Sequence, residues 1–246
     1  MIQRLKNAVK KVVFRFIKPP LVNFVDGDGG RAKLSYSQAG EDLIMKYLFE
    51  SKGIHNPTYL EIGTNHPYLN NNTYLFYKKG ARGVCVEADE TLIEGIAELR
   101  SEDKILNVGV SVSAAKEADF YIFNDAGLNT FSKEEAEHRQ SFGTYIIEKV
   151  AKVRLETIND LMSKHFPGCP DLVSLDIEGL DLDVLKTIDW GRFPIPVICT
   201  ETCTYSEDHL KPKDERITEY MLSVGYVVYA DTYINTIYIN KKWFGF

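Results

Sequence analysis

Short apolar runs at residues 58–62, 82–87, 104–110, 171–177, 195–200 and 225–230 alternate with stretches whose apolar residues recur every three or four positions. Those helical stretches lie near 73–79, 90–100, 157–165, 180–188 and 213–224. An earlier one, from about Gln38 to Ser51, puts Leu43, Ile44, Tyr47 and Leu48 on one face, with Ser37 as its expected N-cap. Continuous apolar strands separated by amphipathic helices predict an α/β fold, a mostly parallel sheet with helices on both faces, because each crossover helix covers the sheet it connects.

The alternation breaks in two places. Gly225 to Ala230 and Tyr233 to Ile239 are separated by Asp231-Thr232 alone, which predicts an antiparallel C-terminal hairpin and brings the strands to seven. Between the third and fourth core strands lie about 60 residues. They include the strand-like Asp119 to Phe123, the polar stretch Asn124 to Gln140 and the extended Lys149 to Leu155. This insertion, about 112–156, is expected to cover the substrate side.

The 246 residues suit a single α/β domain over 35–246, preceded by a distinct segment, 1–34. Residues 1–18 hold Arg4, Lys6, Lys10, Lys11, Arg15 and Lys18 and no acid, so the rest of the chain carries −12 against −6 for the whole. Their apolar residues recur at helical spacing. The pattern predicts a basic amphipathic helix, ended by Pro19-Pro20, that either docks on protein, its own domain or a second subunit of an oligomer, or lies peripherally on an anionic membrane surface. The net negative charge argues against nucleic acid as a partner. No apolar stretch is long enough to span a bilayer, and Cys85, Cys169, Cys199 and Cys203 show no paired spacing, which together predict a cytoplasmic protein with free thiols.

Ligands of open α/β sheets bind beyond the carboxyl ends of the strands. There the first strand ends in Glu61-Ile62-Gly63-Thr64-Asn65 and the second in Glu87. A glycine permits close backbone approach, the Glu61 carboxylate could accept from a cofactor ammonium group, and Glu87 could accept from both hydroxyls of a ribose. A nicotinamide cofactor is disfavoured, because Thr64-Asn65-His66-Pro67 follows Gly63 without the further glycines a pyrophosphate needs.

Several ordered motifs add a family resemblance. They are Ser37-Gln38-Ala39-Gly40-Glu41-Asp42, Glu61 to Asn65, Asn72-Thr73, Gly83 to Ala88, Gly109-Val110-Ser111, Asn129-Thr130-Phe131, Leu175-Asp176-Ile177-Glu178-Gly179 and Glu201. Over roughly residues 35–240 the chain resembles the FkbM-type methyltransferase family. The resemblance implies a Rossmann-like class I methyltransferase fold that binds S-adenosylmethionine. It also implies O-methylation, often of sugars, as in polysaccharide biosynthesis. Cofactor contacts are then expected at Gln38, Asn65, Thr73, Ala88, Val110, Ser111 and Asp176, beside Glu61, Gly63 and Glu87. His66-Pro67 departs from the small residue usual after the first-loop asparagine, and leaves His66 for substrate or cofactor contact.

Asp176, Glu178 and Glu201 close the fourth and fifth core strands and are expected to converge at one sheet edge. Two readings of them stand side by side. Asp176 and Glu201 could hold Mg²⁺ or another hard cation, or Asp176 or Glu178 could take the acceptor's proton directly. His66 and His209 are further candidates for the base. The leading expectation is methyl transfer to a hydroxyl of a sugar, glycan or sugar-bearing intermediate. The alternatives are a non-catalytic membrane-associated scaffold with this fold, and a nucleotide-dependent oxidoreductase.

Overall fold

A computed structural model of the chain describes residues 33–177, 179–203 and 213–246. The basic helix expected over 1–18, together with Glu178 and His209, lies outside the described residues. Among those described, no helix is long and apolar enough to cross a membrane.

The helices are α1 (Glu41–Ser51), α2 (Tyr74–Lys78), α3 (Glu90–Leu99), α4 (Lys133–Ser141), α5 (Ile158–His165), α6 (Asp181–Thr187), α7 (Glu215–Ser223) and α8 (Lys241–Phe244). The strands are β1 (Tyr59–Ile62), β2 (Gly83–Glu87), β3 (Lys104–Asn107), β4 (Gly109–Ser111), β5 (Glu117–Phe123), β6 (Ile147–Thr157), β7 (Leu172–Leu175), β8 (Val197–Glu201), β9 (Tyr226–Asp231) and β10 (Asn235–Asn240). Seven strands form the main sheet in the order β3-β2-β1-β7-β8-β10-β9, and β10 alone runs antiparallel to its neighbours. This is the mostly parallel, seven-stranded arrangement of class I methyltransferases, with the antiparallel C-terminal hairpin the spacing predicts.

Strand alternation divides the core in two. Leu60, Ile62, Val84, Val86, Val173 and Leu175 meet Ile158, Leu161 and Leu185 on one face. Tyr59, Cys85, Leu172, Val197 and Cys199 meet Met45, Leu48, Phe49 and Phe76 on the other. Both faces are buried, so β1, β7 and β8 read as continuous apolar runs rather than as alternating ones.

The structure differs from the sequence expectations at three points. The run 104–110 is two strands: β3 closes the main sheet, and after Val108 the chain turns into β4, which pairs with β6 (Gly109 opposite Leu155). β4, β6 and β5 thus make a second, three-stranded sheet from the insertion. Ser37 does not cap α1, whose N-cap is Gly40 at φ 94°; Ser37 Oγ instead accepts from the Asp42 N–H at 3.2 Å. The hairpin turn takes three residues rather than two, 232–234, with Tyr233 in the left-handed region at φ 76°.

Candidate active site

The strand order reverses between β1 and β7, and at that switch point β1 runs out into Gly63. Gly63 sits at φ 82°, and a Cβ there would lie 1.8 Å from the Asp176 carbonyl oxygen, so no other residue fits without moving β7. The loop is stitched to both neighbouring strands. Gly63 and Thr64 N–H donate to the Val86 carbonyl at 3.0 and 3.2 Å, and Asp176 N–H donates to the Ile62 carbonyl at 3.1 Å. Asn65 follows, itself left-handed at φ 49°, which turns its N–H onto the Glu87 carboxylate.

A cleft of about 400 Å³ opens at these strand ends. Leu92, Val108, Val110, Phe120 and Phe131 supply an apolar wall. Gln38, Asn65, His66, Asn70, Asp125 and Asp176 supply polar groups. Glu87 stands between them, 6% exposed. Its Oε2 accepts from Asn65 N–H at 2.8 Å and its Oε1 from Asp89 N–H at 2.7 Å. Among the described residues no Lys, Arg or His pairs with it, and burial pushes its carboxyl up to about 7, against the pull of the two backbone donors. A buried carboxylate with donors on both oxygens and no cation can still accept from a ligand's hydroxyls through its remaining lone pairs.

Of the expected site residues, the cleft gathers Gln38, Gly63, Asn65, His66, Glu87, Ala88, Val110 and Asp176. Glu61, Thr73, Ser111 and Glu201 do not line it. The expectation that Glu61 meets a cofactor ammonium group is corrected by its partner. Arg100 Nη1 donates to Glu61 Oε2 at 2.7 Å, with both side chains buried. Thr73 belongs to the same network, its Oγ1 accepting from Arg100 Nη2 at 2.7 Å. Ser111 Oγ donates to the Ser113 carbonyl at 2.7 Å and holds the exit from β4. Glu201 closes β8 in register with Asn235 of β10. Among the described residues no three His, Cys, Asp or Glu side chains are grouped to hold a metal ion, so the Asp176–Glu201 cation site gains no support.

His66 reaches the cleft but is not poised as a base. Its Nδ1 accepts from Leu69 N–H at 2.9 Å and Tyr68 N–H at 3.2 Å, which puts the proton of the neutral ring on Nε2. Burial lowers its pKa and favours that neutral form. With Nδ1 held by two N–H groups of its own loop, that nitrogen is not open to take an acceptor's proton.

Two features escaped the sequence reading. Arg100 is fully buried and also donates through Nε to Asp103 at 2.8 Å, while Tyr59 OH donates to the same carboxylate at 2.8 Å. The only signal was an arginine three residues before an aspartate at the end of a helical stretch. The second feature is the insertion's own contribution: Phe120, Asp125, Gly127, Asn129, Thr130 and Phe131 line the cleft at the strand ends itself. The motif Asn129-Thr130-Phe131 was visible, but nothing in spacing alone joined it to Glu87.

The model of the methyltransferase FkbM domain matches the chain over residues 61–228. Among solved structures, a candidate caffeoyl-CoA O-methyltransferase from Staphylococcus aureus is similar at 12% identity and TM-score 0.47, over 83% of this chain and 84% of that one. The fibrillarin pre-rRNA processing protein of Methanococcus jannaschii is similar at 10% identity and TM-score 0.37, over 75% and 66%. No curated protein matches the chain.

Proposed function

The chain belongs to the methyltransferase FkbM family, and from that premise we propose that this S-adenosylmethionine-dependent methyltransferase acts on a hydroxyl of a sugar, glycan or sugar-bearing intermediate. Membership supports a methyltransferase over a nucleotide-dependent oxidoreductase, and methyl transfer in an acceptor screen would exclude a non-catalytic scaffold with the same fold. The observation that carries the cofactor assignment is Glu87, a buried carboxylate at the end of β2 with no cation partner among the described residues, near a turn at Gly63 that only glycine can build.

The donor set fits the cofactor. Glu87 would accept from the two ribose hydroxyls, the apolar wall from Leu92 to Phe131 would suit an adenine ring, and the bare backbone at Gly63 would let the chain approach the amino-acid portion closely. When bound, S-adenosylmethionine supplies the electrophilic methyl group. The residues of the chain then align an acceptor hydroxyl and take its proton. Alignment can contribute several kcal/mol, and a general base about 10²- to 10⁴-fold. We assign the proton to Asp176, which lies at the carboxyl end of β7 next to Gly63 and on the cleft's polar side. The amide, imidazole and carboxylate groups around it suit a hydroxyl-rich acceptor better than an apolar or anionic one.

Calorimetric titration with S-adenosylhomocysteine tests the cofactor assignment. We expect saturable binding, weakened at least tenfold by Glu87→Ala, as the loss of hydrogen bonds to a charged group predicts. No heat of binding from well-folded protein would sink it. A screen of saccharide acceptors with labelled cofactor tests the substrate class, and transfer only to non-hydroxyl acceptors would overturn it. For residues 1–18 we propose contact with an anionic membrane surface, which is wrong if their deletion leaves sedimentation with anionic liposomes unchanged.

A further inference from the structure

Asn129 follows the short 3₁₀ turn Ala126–Leu128 and lines the cleft from the insertion's side. Its side-chain amide faces two ways. The Oδ1 accepts from Phe123 N–H at 2.8 Å, within the insertion, while the Nδ2 donates to Asp89 Oδ2 at 3.0 Å, at the end of β2. Asp89 is 2% exposed and is itself committed. Its Oδ1 caps α3 by accepting from Thr91 N–H at 2.9 Å, and its backbone N–H is one of the two donors that hold Glu87. The other donor, Asn65 N–H, lies on the turn beside Gly127, where a Cβ would come 3.8 Å from Asn65 Nδ2.

We infer that Asn129 is a positioning residue: one amide ties the insertion to Asp89, 40 residues away in sequence, and through the Asp89 N–H to the Glu87 carboxylate, so that both sides of the cofactor cleft are set together. The inference rests on the reading of the cleft as the cofactor site. An amide suits this place because it offers a donor and an acceptor on one rigid plane. Aspartate at 129 would keep the bond from Phe123 but face Asp89 with like charge. Leucine would fill the space and keep neither bond. The 125–131 segment has its own anchor in paired hydrogen bonds between Thr130 and Tyr121. Losing the amide therefore frees the segment from β2 without unfolding it.

The test compares wild type, Asn129→Asp and Asn129→Leu by calorimetric titration with S-adenosylhomocysteine between about pH 6 and about pH 8, with thermal unfolding of the same samples. Among the described residues, the charged side chain that acts on Glu87 is Asp89. A second carboxylate beside it should weaken binding about tenfold or more near pH 8 and move the pH midpoint of binding upward. Asn129→Leu should weaken binding about threefold or more, as expected for a lost positioning hydrogen bond, and carries the comparison if the aspartate variant does not fold. Wild-type affinity and midpoint in a folded variant, or a lowered Tm with unchanged affinity, would overturn the inference. Absence of binding by the wild-type chain would instead remove the cofactor reading on which it rests.

Discussion

Glu61, one residue from the end of β1, and Glu87, which closes the adjacent parallel β2, are 3% and 6% exposed and by sequence are equivalent as ligand carboxylates. In register, Glu61 lies opposite Cys85, and Glu87 is two residues further along β2. Two residues are about 7 Å of strand rise. That distance separates a carboxylate inside the helix-covered core from one at the mouth of the cleft. Below, Glu61 is neutralised by Arg100, whose charge burial opposes but Glu61 and its neighbours hold in place. Above, Glu87 has backbone donors and no cation among the described residues. A buried carboxylate that the fold has matched with a guanidinium is architecture; one left with spare lone pairs facing a cleft is prepared for a ligand.

The sharpest way to break this contrast is Arg100→Met. It strands Glu61 and Asp103 in the core, so the unfolding free energy should fall by about 3 to 5 kcal/mol in denaturant titration. A loss under about 1 kcal/mol would mean that the network is not the architectural half of the pair. Next comes Gly63→Ala, which forces both a left-handed alanine and a collision with the Asp176 carbonyl. It should lower stability by about 2 to 3 kcal/mol and abolish measurable S-adenosylhomocysteine binding.

Glu87→Gln should show the opposite balance. Affinity should fall about tenfold, or about 1.4 kcal/mol, while the unfolding free energy near neutral pH shifts by about 1 kcal/mol or less. Equal losses in both would erase the distinction between the two carboxylates. The gentlest probe is pH. With a carboxyl pushed up to about 7, only the ionised form accepts on both oxygens with charge assistance, so affinity should rise up to about tenfold between about pH 6 and about pH 8. The stability contribution runs the other way. The folded state holds its proton longer than the unfolded one, so this contribution is full below the ordinary glutamate range and is lost as pH rises through about 7. A flat affinity profile would show that Glu87 does not meet the ligand.

Most of the main sheet was legible in the amino-acid pattern. Runs such as Tyr59 to Ile62 and Val197 to Glu201 are buried throughout and mostly apolar because both faces of a parallel sheet are covered, and burial of that kind leaves a local signature. The C-terminal hairpin was legible because a connection of two or three residues permits only antiparallel return. Gly63 and Glu87 were legible because strand ends and a glycine are sequence features. The break at Val108 was not. β3 and β4 share one apolar run, and only pairing with β6, some 45 residues later by the register of Gly109 with Leu155, draws the second half away.

By itself the sequence determined the α/β class, the alternation of main-sheet strands with their crossover helices, the switch-point glycine and the family motifs, all of which depend on local pattern and short spacing. Tertiary structure alone decided that Arg100 claims Glu61 and Thr73, that His66 spends Nδ1 on its own loop, and that the insertion walls the cleft at the strand ends through Phe131 and Asn129. Each of these depends on which side chains meet across 25 or more residues or on which nitrogen a turn encloses. Hydrophobic periodicity carries no record of such pairings, because it reports only that a position is buried and not what it is buried against.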